Sequence, residues 1–413
     1  MSFVVAFNRD RDFYQVPLAL YEKEILTQLI TDLYVPNLKP LDRLPIINKI
    51  RHRRAKGLPF SKVSWSFEAL RIQLLKIRQT QDPILRAELF NQLDAHLSLE
   101  ALKVAKESRS NLLLYSSYAQ KAFSSPDSEG MLKGLFMFHP HSALIKNLLD
   151  TDYEQYPDIH WSIPIAIEVN SPLDEWKLAN FILCASSFTA RSLIFAGCPA
   201  EKITVIPYGF NSQAMPLVRT AEKSNHCRFL FVGQGVQRKG LHHLFKVWSA
   251  LDLPNASLIV IASRIDSGIK KMIPDKNVLL LSAQSKVDLL FHYSKADVFV
   301  MPSLVEGFGL VYLEALASGC YCIGSLNSGF PDLECPEFAG ESVIPGSLES
   351  LSSAILNAYK KHEKEDLDRA MISKFASSLK WEIFRSQVSQ VCFNAEKNKS
   401  SLLEKNNKIN PTL

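Results

Sequence analysis

The 413-residue chain predicts an α/β protein built from two doubly wound parallel sheets, one in each half. Three observations predict it. Short runs rich in Val, Ile, Leu and Phe recur through both halves, and a turn and a helix-patterned stretch follow most of them. A polar, irregular stretch at 211–225 separates the halves. Residues 296–319 then read as buried strand, glycine-bearing turn and helix start, which is how such sheets hold an anionic ligand.

The elements follow in order. Residues 3–7 are apolar throughout, as a parallel strand covered on both faces must be. A polar loop rich in Arg and Asp, 8–15, comes next. Pro17 opens a predicted helix to about Thr31, and 32–35 suggest a short strand. Residues 41–108 pattern as helical with little strand signal. Strands are expected at 111–115 and 134–138, the second ending at His139-Pro140-His141. A strand at 181–185 leads to Ser186 or Ser187, either of which caps a helix over 189–196. The strand 203–206 and the turn 207–211 close a first domain set at 1–210, with a helical insert at 41–108. The second domain, 211–380, has strands at 228–232, 257–261, 278–281 and 296–301. Its helices are expected at 240–251, 285–293, 348–359 and 366–374. A last helix, 381–392, opens a segment 381–413 that ends in a polar tail.

Composition narrows the function. A hydrophobic share of 47% supports two sizeable cores. A net charge of +5 suits a small anionic ligand or contact with an acidic membrane and makes no demand for nucleic acid. Seven scattered cysteines point to a reducing compartment rather than a disulfide framework. Cys320 and Cys322 lie in an apolar run with no second pair at zinc spacing, so they read as core. No apolar stretch is long enough to span a bilayer, and the start lacks the basic flank of a signal peptide. The expected location is therefore cytoplasmic, with peripheral membrane association. A basic run, Lys49, Arg51, Arg53, Arg54 and Lys56, followed by Trp65 and Phe67, offers such contact with anionic lipid. A solvated helix end is its plainer reading.

The chemistry gathers at 302–319. Glu306 and Glu314 stand eight positions apart, with Gly307 and Gly309 in the turn between them. A carboxylate in an anion-binding turn suits a ligand that carries hydroxyls as well as phosphates. This stretch resembles the E-x7-E signature of retaining glycosyltransferases of the GT-B fold, the family 4 (group 1) type, and the resemblance covers most of the C-terminal half. It implies two Rossmann-like domains facing across a cleft, with the C-terminal helix crossing back to the first domain. It implies that Glu306 meets the hydroxyls of the transferred sugar and Glu314 the ribose of the nucleotide. The backbone N–H groups of Gly307, Phe308, Gly309, Leu310 and Val311 would hold sugar hydroxyls and the diphosphate. The loop 233–240 resembles the family's phosphate-binding loop, in which Lys239 keeps its role. Gln234 stands where the family has an arginine, and Arg238 is the candidate to supply that charge. His139, at the end of a first-domain strand, matches the family histidine that contacts the donor sugar, with His141 as its competitor.

The resemblance implies a retaining transfer of a sugar from a nucleotide-diphosphate donor to a glycan or lipid-linked acceptor, in surface polysaccharide, lipopolysaccharide or glycolipid assembly. Lys239, Arg238 and helix amides would stabilise the departing diphosphate. No Asp-x-Asp pair stands at a strand end, so a metal is not expected, nor a cofactor beyond the donor itself. Other readings are a non-catalytic nucleotide-sugar-binding protein or a nucleotide-sugar epimerase. A dehydrogenase lacks its G-x-G-x-x-G loop after the first strand.

Overall fold

The computed structural model describes residues 2–36, 50, 52–80, 82–157, 159, 174–211 and 224–409. Its two sheets are parallel throughout. The first has seven strands in the order β3-β2-β1-β4-β5-β6-β7. These are β1 (Phe3–Ala6), β2 (Leu26–Thr31), β3 (Val63–Trp65), β4 (Asn111–Tyr115), β5 (Lys133–Met137), β6 (Phe181–Cys184) and β7 (Ile203–Val205). The second has six in the order β10-β9-β8-β11-β12-β13. These are β8 (Cys227–Val232), β9 (Ala256–Ile261), β10 (Val278–Leu281), β11 (Val298–Met301), β12 (Tyr321–Ser325) and β13 (Gly340–Val343).

Central strands are buried on both faces, as their unbroken apolar sequences require: all four residues of β1 and of β11 are inaccessible to solvent. The strand order reverses direction between β1 and β4 in one sheet and between β8 and β11 in the other. Ligands of open α/β sheets bind beyond the carboxyl ends of strands at such switch points. The loops after β1, β5, β8 and β11 are therefore the ones that matter here.

Two expectations are corrected. The helix expected from Pro17 to Thr31 is only Gln15–Glu22. Ile25 N–H bonds back to Leu20 O and Glu24 N–H to Tyr21 O, with Glu24 at φ 59°, a left-handed stop. Residues 26–31 then form β2, which pairs in parallel with β1 and replaces the strand expected at 32–35. The run Leu-Thr-Gln-Leu-Ile-Thr suits an extended chain packed beside a buried neighbour, and that tertiary demand outweighs helical continuity. The 41–108 insert, expected to be helical, contains one long helix, Pro83–Glu107, with Asp82 capping it. It also contributes β3 to the sheet edge, which its sequence did not announce. Residues 41–49 of the insert and 212–223 of the linker lie outside the described residues.

The last helix, Trp381–Ile409, returns to the first domain. Phe210 N–H bonds to Leu379 O as the chain crosses, and Arg385 reaches Glu22 at 2.9 Å and Gln15 at 2.8 Å. Phe384 sets its ring edge-on to Phe136 of β5, and Trp381 packs on Tyr208.

Candidate donor-binding cleft between the domains

The cleft is assembled from four loops. After β8, the chain forms a tight 3-10 turn, Gln237–Lys239. Gly240 closes it at φ 67°, and a Cβ there would lie 2.2 Å from Pro302 O, so only glycine lets this turn sit against the loop after β11. Val305 N–H to Arg238 O, at 3.1 Å, ties the two loops together. The loop after β11 is further fixed by Glu306 N–H to Asn327 O, at 3.0 Å. Gly309, at φ 91°, starts the helix Leu310–Ala317; Tyr312 N–H bonds to Gly309 O at 3.0 Å, and the N–H groups of Leu310 and Val311 precede any intrahelical acceptor.

These loops bring opposite charges into contact. Lys239 Nζ is ion-paired with Glu306 Oε2, and Arg238 Nη1 stands 3.6 Å from the same oxygen. Burial alone would raise the Glu306 carboxyl, but Lys239 and Arg238 outweigh it and hold the group down at about 2. Burial lowers the Lys239 ammonium, and Glu306 offsets part of that. Gln234 is exposed, away from this pair.

The first domain supplies the facing wall. Gly307 is pressed against the end of β5: a Cβ on it would meet Phe138 O at 2.2 Å and the His139 ring at 3.3 Å. Ser186 Oγ–H donates to Gly307 O from the start of the helix Ser187–Phe195, which it also caps. His139 opens onto the cleft. Crowding by the surrounding protein, and then the Arg11 guanidinium, hold its pKa below the ordinary imidazole value, while the Glu306 carboxylate offsets part of that lowering. The imidazole is thus neutral near pH 7, a hydrogen-bonding group rather than a cation. His141 faces elsewhere: its Nδ1 accepts from Ala143 N–H and caps the helix Ser142–Gln155.

A cleft of ≈ 380 Å³ results, lined by His139, Lys239, Glu306 and the segment Phe308–Val311. Arg238 and Gly307 are not among the lining residues: Arg238 reaches the cleft through Glu306, and Gly307 is packed against Phe138 and His139. Glu314 is not among the lining residues. It sits farther along the helix Leu310–Ala317, accepts a 3.2 Å hydrogen bond from Tyr293 Oη, and is raised in pKa by burial.

The lining also includes residues that sequence reasoning did not name: Arg9, Asp10, Arg11, Asp12 and Tyr208. Arg9, Asp12, Phe13 and Tyr14 all have positive φ, between 40° and 64°. The loop therefore takes left-handed turns without any glycine, a conformation that costs about 1 kcal/mol or more per residue and persists where packing enforces it. Arg11 lies over the Phe138 ring at 4.1 Å, and Asp12 accepts from Tyr115 Oη. The alternating Arg-Asp-Arg-Asp at 9–12 was the available signal.

Among the described residues two side-chain groups have cation-binding spacing, Asp152–His242–His243 and Cys227–Asp297–His362, and neither lines the cleft.

The family described as "Glycosyl transferases group 1" matches residues 218–374, the span that holds both second-domain loops. That span is similar in sequence to group 1 glycosyl transferase domains. The amylovoran biosynthesis glycosyltransferase AmsK of Erwinia amylovora is 26% identical over 190 residues, 43% of this chain and 47% of that protein. The chain spans about half or less of the length of the curated relatives it matches. Likeness of fold extends over almost the whole chain. Sucrose-phosphate synthase from Thermosynechococcus elongatus superposes with a TM-score of 0.63 at 17% identity, over 96% of this chain and all of that one. HepE of Anabaena, solved with UDP and glucose, gives 0.59 at 15% identity, over 95% and 100%. The fold is GT-B.

Proposed function

We propose that the chain is a retaining glycosyltransferase that moves a sugar from a nucleotide-diphosphate donor to a glycan or lipid-linked acceptor. One observation carries this reading. His139, Lys239, Glu306 and the first-turn amides of the helix Leu310–Ala317 line one cleft at the switch points of two sheets. The UDP and glucose held by HepE, and the polysaccharide role in the name of AmsK, support it.

In the transfer, the anomeric C–O bond to the diphosphate breaks and its electron pair leaves with the phosphate. An acceptor oxygen bonds to the anomeric carbon from the same face, and its proton passes to the departing phosphate oxygen. Lys239, Arg238 and the amides of Gly309, Leu310 and Val311 face the charge that grows on the leaving group. Glu306 would accept hydroxyl hydrogens from the sugar, and neutral His139 would hold another sugar hydroxyl. Glu314 would need the nucleotide to reach past the cleft wall to Tyr293. This cationic corner supplies the stabilisation that a metal gives elsewhere, so transfer is expected without added divalent ion.

The acceptor would approach along the first domain, with peripheral contact at an anionic membrane. Among the described residues no helix is long and apolar enough to cross a membrane.

The deciding experiment screens UDP-, GDP- and ADP-sugars for a rise in unfolding temperature, then follows turnover of the best binder in the parent, Lys239→Ala and Glu306→Ala. Glu306→Ala should retain nucleotide binding and lose transfer by about 100-fold or more. Lys239→Ala should weaken the intact nucleotide sugar and leave the free sugar unaffected. Full activity in Glu306→Ala, or no nucleotide sugar bound by the parent, ends the proposal.

A further inference from the structure

Outside the cleft, one buried cluster joins the two domains. Asp152 is near the end of the helix Ser142–Gln155 in the first domain. His242 and His243 begin the helix Leu241–Leu251 in the second. All three side chains are at least 95% shielded from solvent. His242 Nε2 lies 3.2 Å, and His243 Nε2 2.9 Å, from the same carboxylate oxygen, Asp152 Oδ1. One donor atom from each residue falls within 4.8 Å of the others.

The geometry is unlike a simple ion pair. His243 Nε2 approaches the carboxylate without an aligned hydrogen bond, and neither ring nitrogen of this fully enclosed imidazole has a hydrogen-bond partner. Orphaned buried nitrogens are costly and uncommon. Two imidazoles and a carboxylate converging on one point are a ligand set for a zinc-type cation. Bonds of about 2.1 Å at tetrahedral angles place such donors roughly 3.4 Å apart, close to the 3.2 Å and 2.9 Å that separate each imidazole from the carboxylate.

The surroundings complete the picture. Gln237 Nε2 donates to Asp152 Oδ2 at 2.9 Å and to Leu149 O at 2.8 Å, which orients the carboxylate from outside, as the partners of metal ligands do. Tyr156 packs its ring against both imidazoles, 5.1 Å and 5.3 Å between centroids, and walls the cluster on one side. Burial alone would raise the Asp152 carboxyl, but the two histidines outweigh it and keep the group below the usual carboxylate range.

We propose that Asp152, His242 and His243 form a structural zinc site that locks the two domains together beside the loop carrying Lys239. Each histidine ligates through Nε2, its ring proton residing on Nδ1, and the ionised carboxylate gives the third bond. Water takes the fourth position. The ion is remote from the donor phosphates and takes no part in transfer. Through Gln237, two residues before Lys239, it fixes the turn on which the donor loop depends.

The test reads metal, not activity. The full chain is stripped with chelator, dialysed against Zn(II), freed of excess and assayed for zinc beside Asp152→Asn and His243→Ala. The parent should hold about one zinc per chain and each variant less than about a tenth of that. Co(II) in place of zinc should give the visible bands of a tetrahedral site in the parent alone. No stoichiometric uptake by the parent, or undiminished uptake by both variants, overturns the site. If the variants do not fold, the parent decides: zinc must raise and chelator must lower its unfolding temperature, and indifference to both overturns the site equally.

Discussion

Asp12 shows what a single side chain contributes to the cleft and to its pH dependence. Its carboxyl is buried beside Tyr115, and desolvation pushes it up to about 7 from an ordinary 3.8. The folded chain therefore keeps a proton that the unfolded chain has released, so stability falls as pH rises from about 4 to 7. Asp94, raised by burial to about 8, adds to the same slope. Asp12→Asn should flatten it by an amount on the order of a few kcal/mol between pH 4 and 7.5, read by urea unfolding at each pH. Parallel curves for parent and variant would mean that Asp12 is ionised in the folded protein. No local pattern reveals such a residue, because the groups that bury it come from a strand 103 positions away. The strand, glycine turn and helix start around Glu306 were legible in the sequence because they are contiguous there, whereas Lys239 and His139 were named by resemblance and meet Glu306 only through tertiary contact. Glu314 was legible as half of a motif, yet spacing could not show that Tyr293 holds it off the cleft wall.

At the scale of elements, the same limit separates β2 and the basic run from the rest. Strand β2 is apolar enough to extend a helix, and only its pairing with β1 decides otherwise. In the basic run, Arg53 is not a surface cation: it is buried and ion-paired with Asp32. Lys49 and Arg51 lie outside the described residues. The exposed apolar groups sit just beyond, on the segment from β3 through residue 78. Phe67 is 71% exposed, Leu75 55% and Trp65 41%, with Lys76 and Arg78 exposed beside them. Exposed aromatic and basic side chains are what contact with an anionic bilayer requires, and that contact is open to a direct test. A variant combining Trp65→Ala and Phe67→Ala should lose most of its sedimentation with vesicles rich in anionic lipid, and the parent should release them at high salt. Vesicle binding that ignores both changes, or none by the parent, would return the strip to ordinary surface.

For the whole molecule, the return of the C-terminal helix is what makes two sheets one body. Trp381 packs between Phe13, Tyr208 and Phe384, at the seam where the chain passes from the second domain back to the first. Trp381→Ala should cost about 3 kcal/mol of stability and weaken donor binding, because the cleft wall at Tyr208 loses its support. Unchanged thermal unfolding in that variant would show the strap to be incidental. The alternation of strands and helices made both sheets readable in advance, whereas the seam is a matter of tertiary contact. An ammonium already satisfied by an internal carboxylate gains little from a passing phosphate. On the proposed reaction, loading is a trade of partners: Lys239 turns to the incoming diphosphate only as Glu306 finds hydroxyls to accept. A bare phosphate offers half of that trade and strands the acid, so the resting protein is already biased toward molecules that carry both ends.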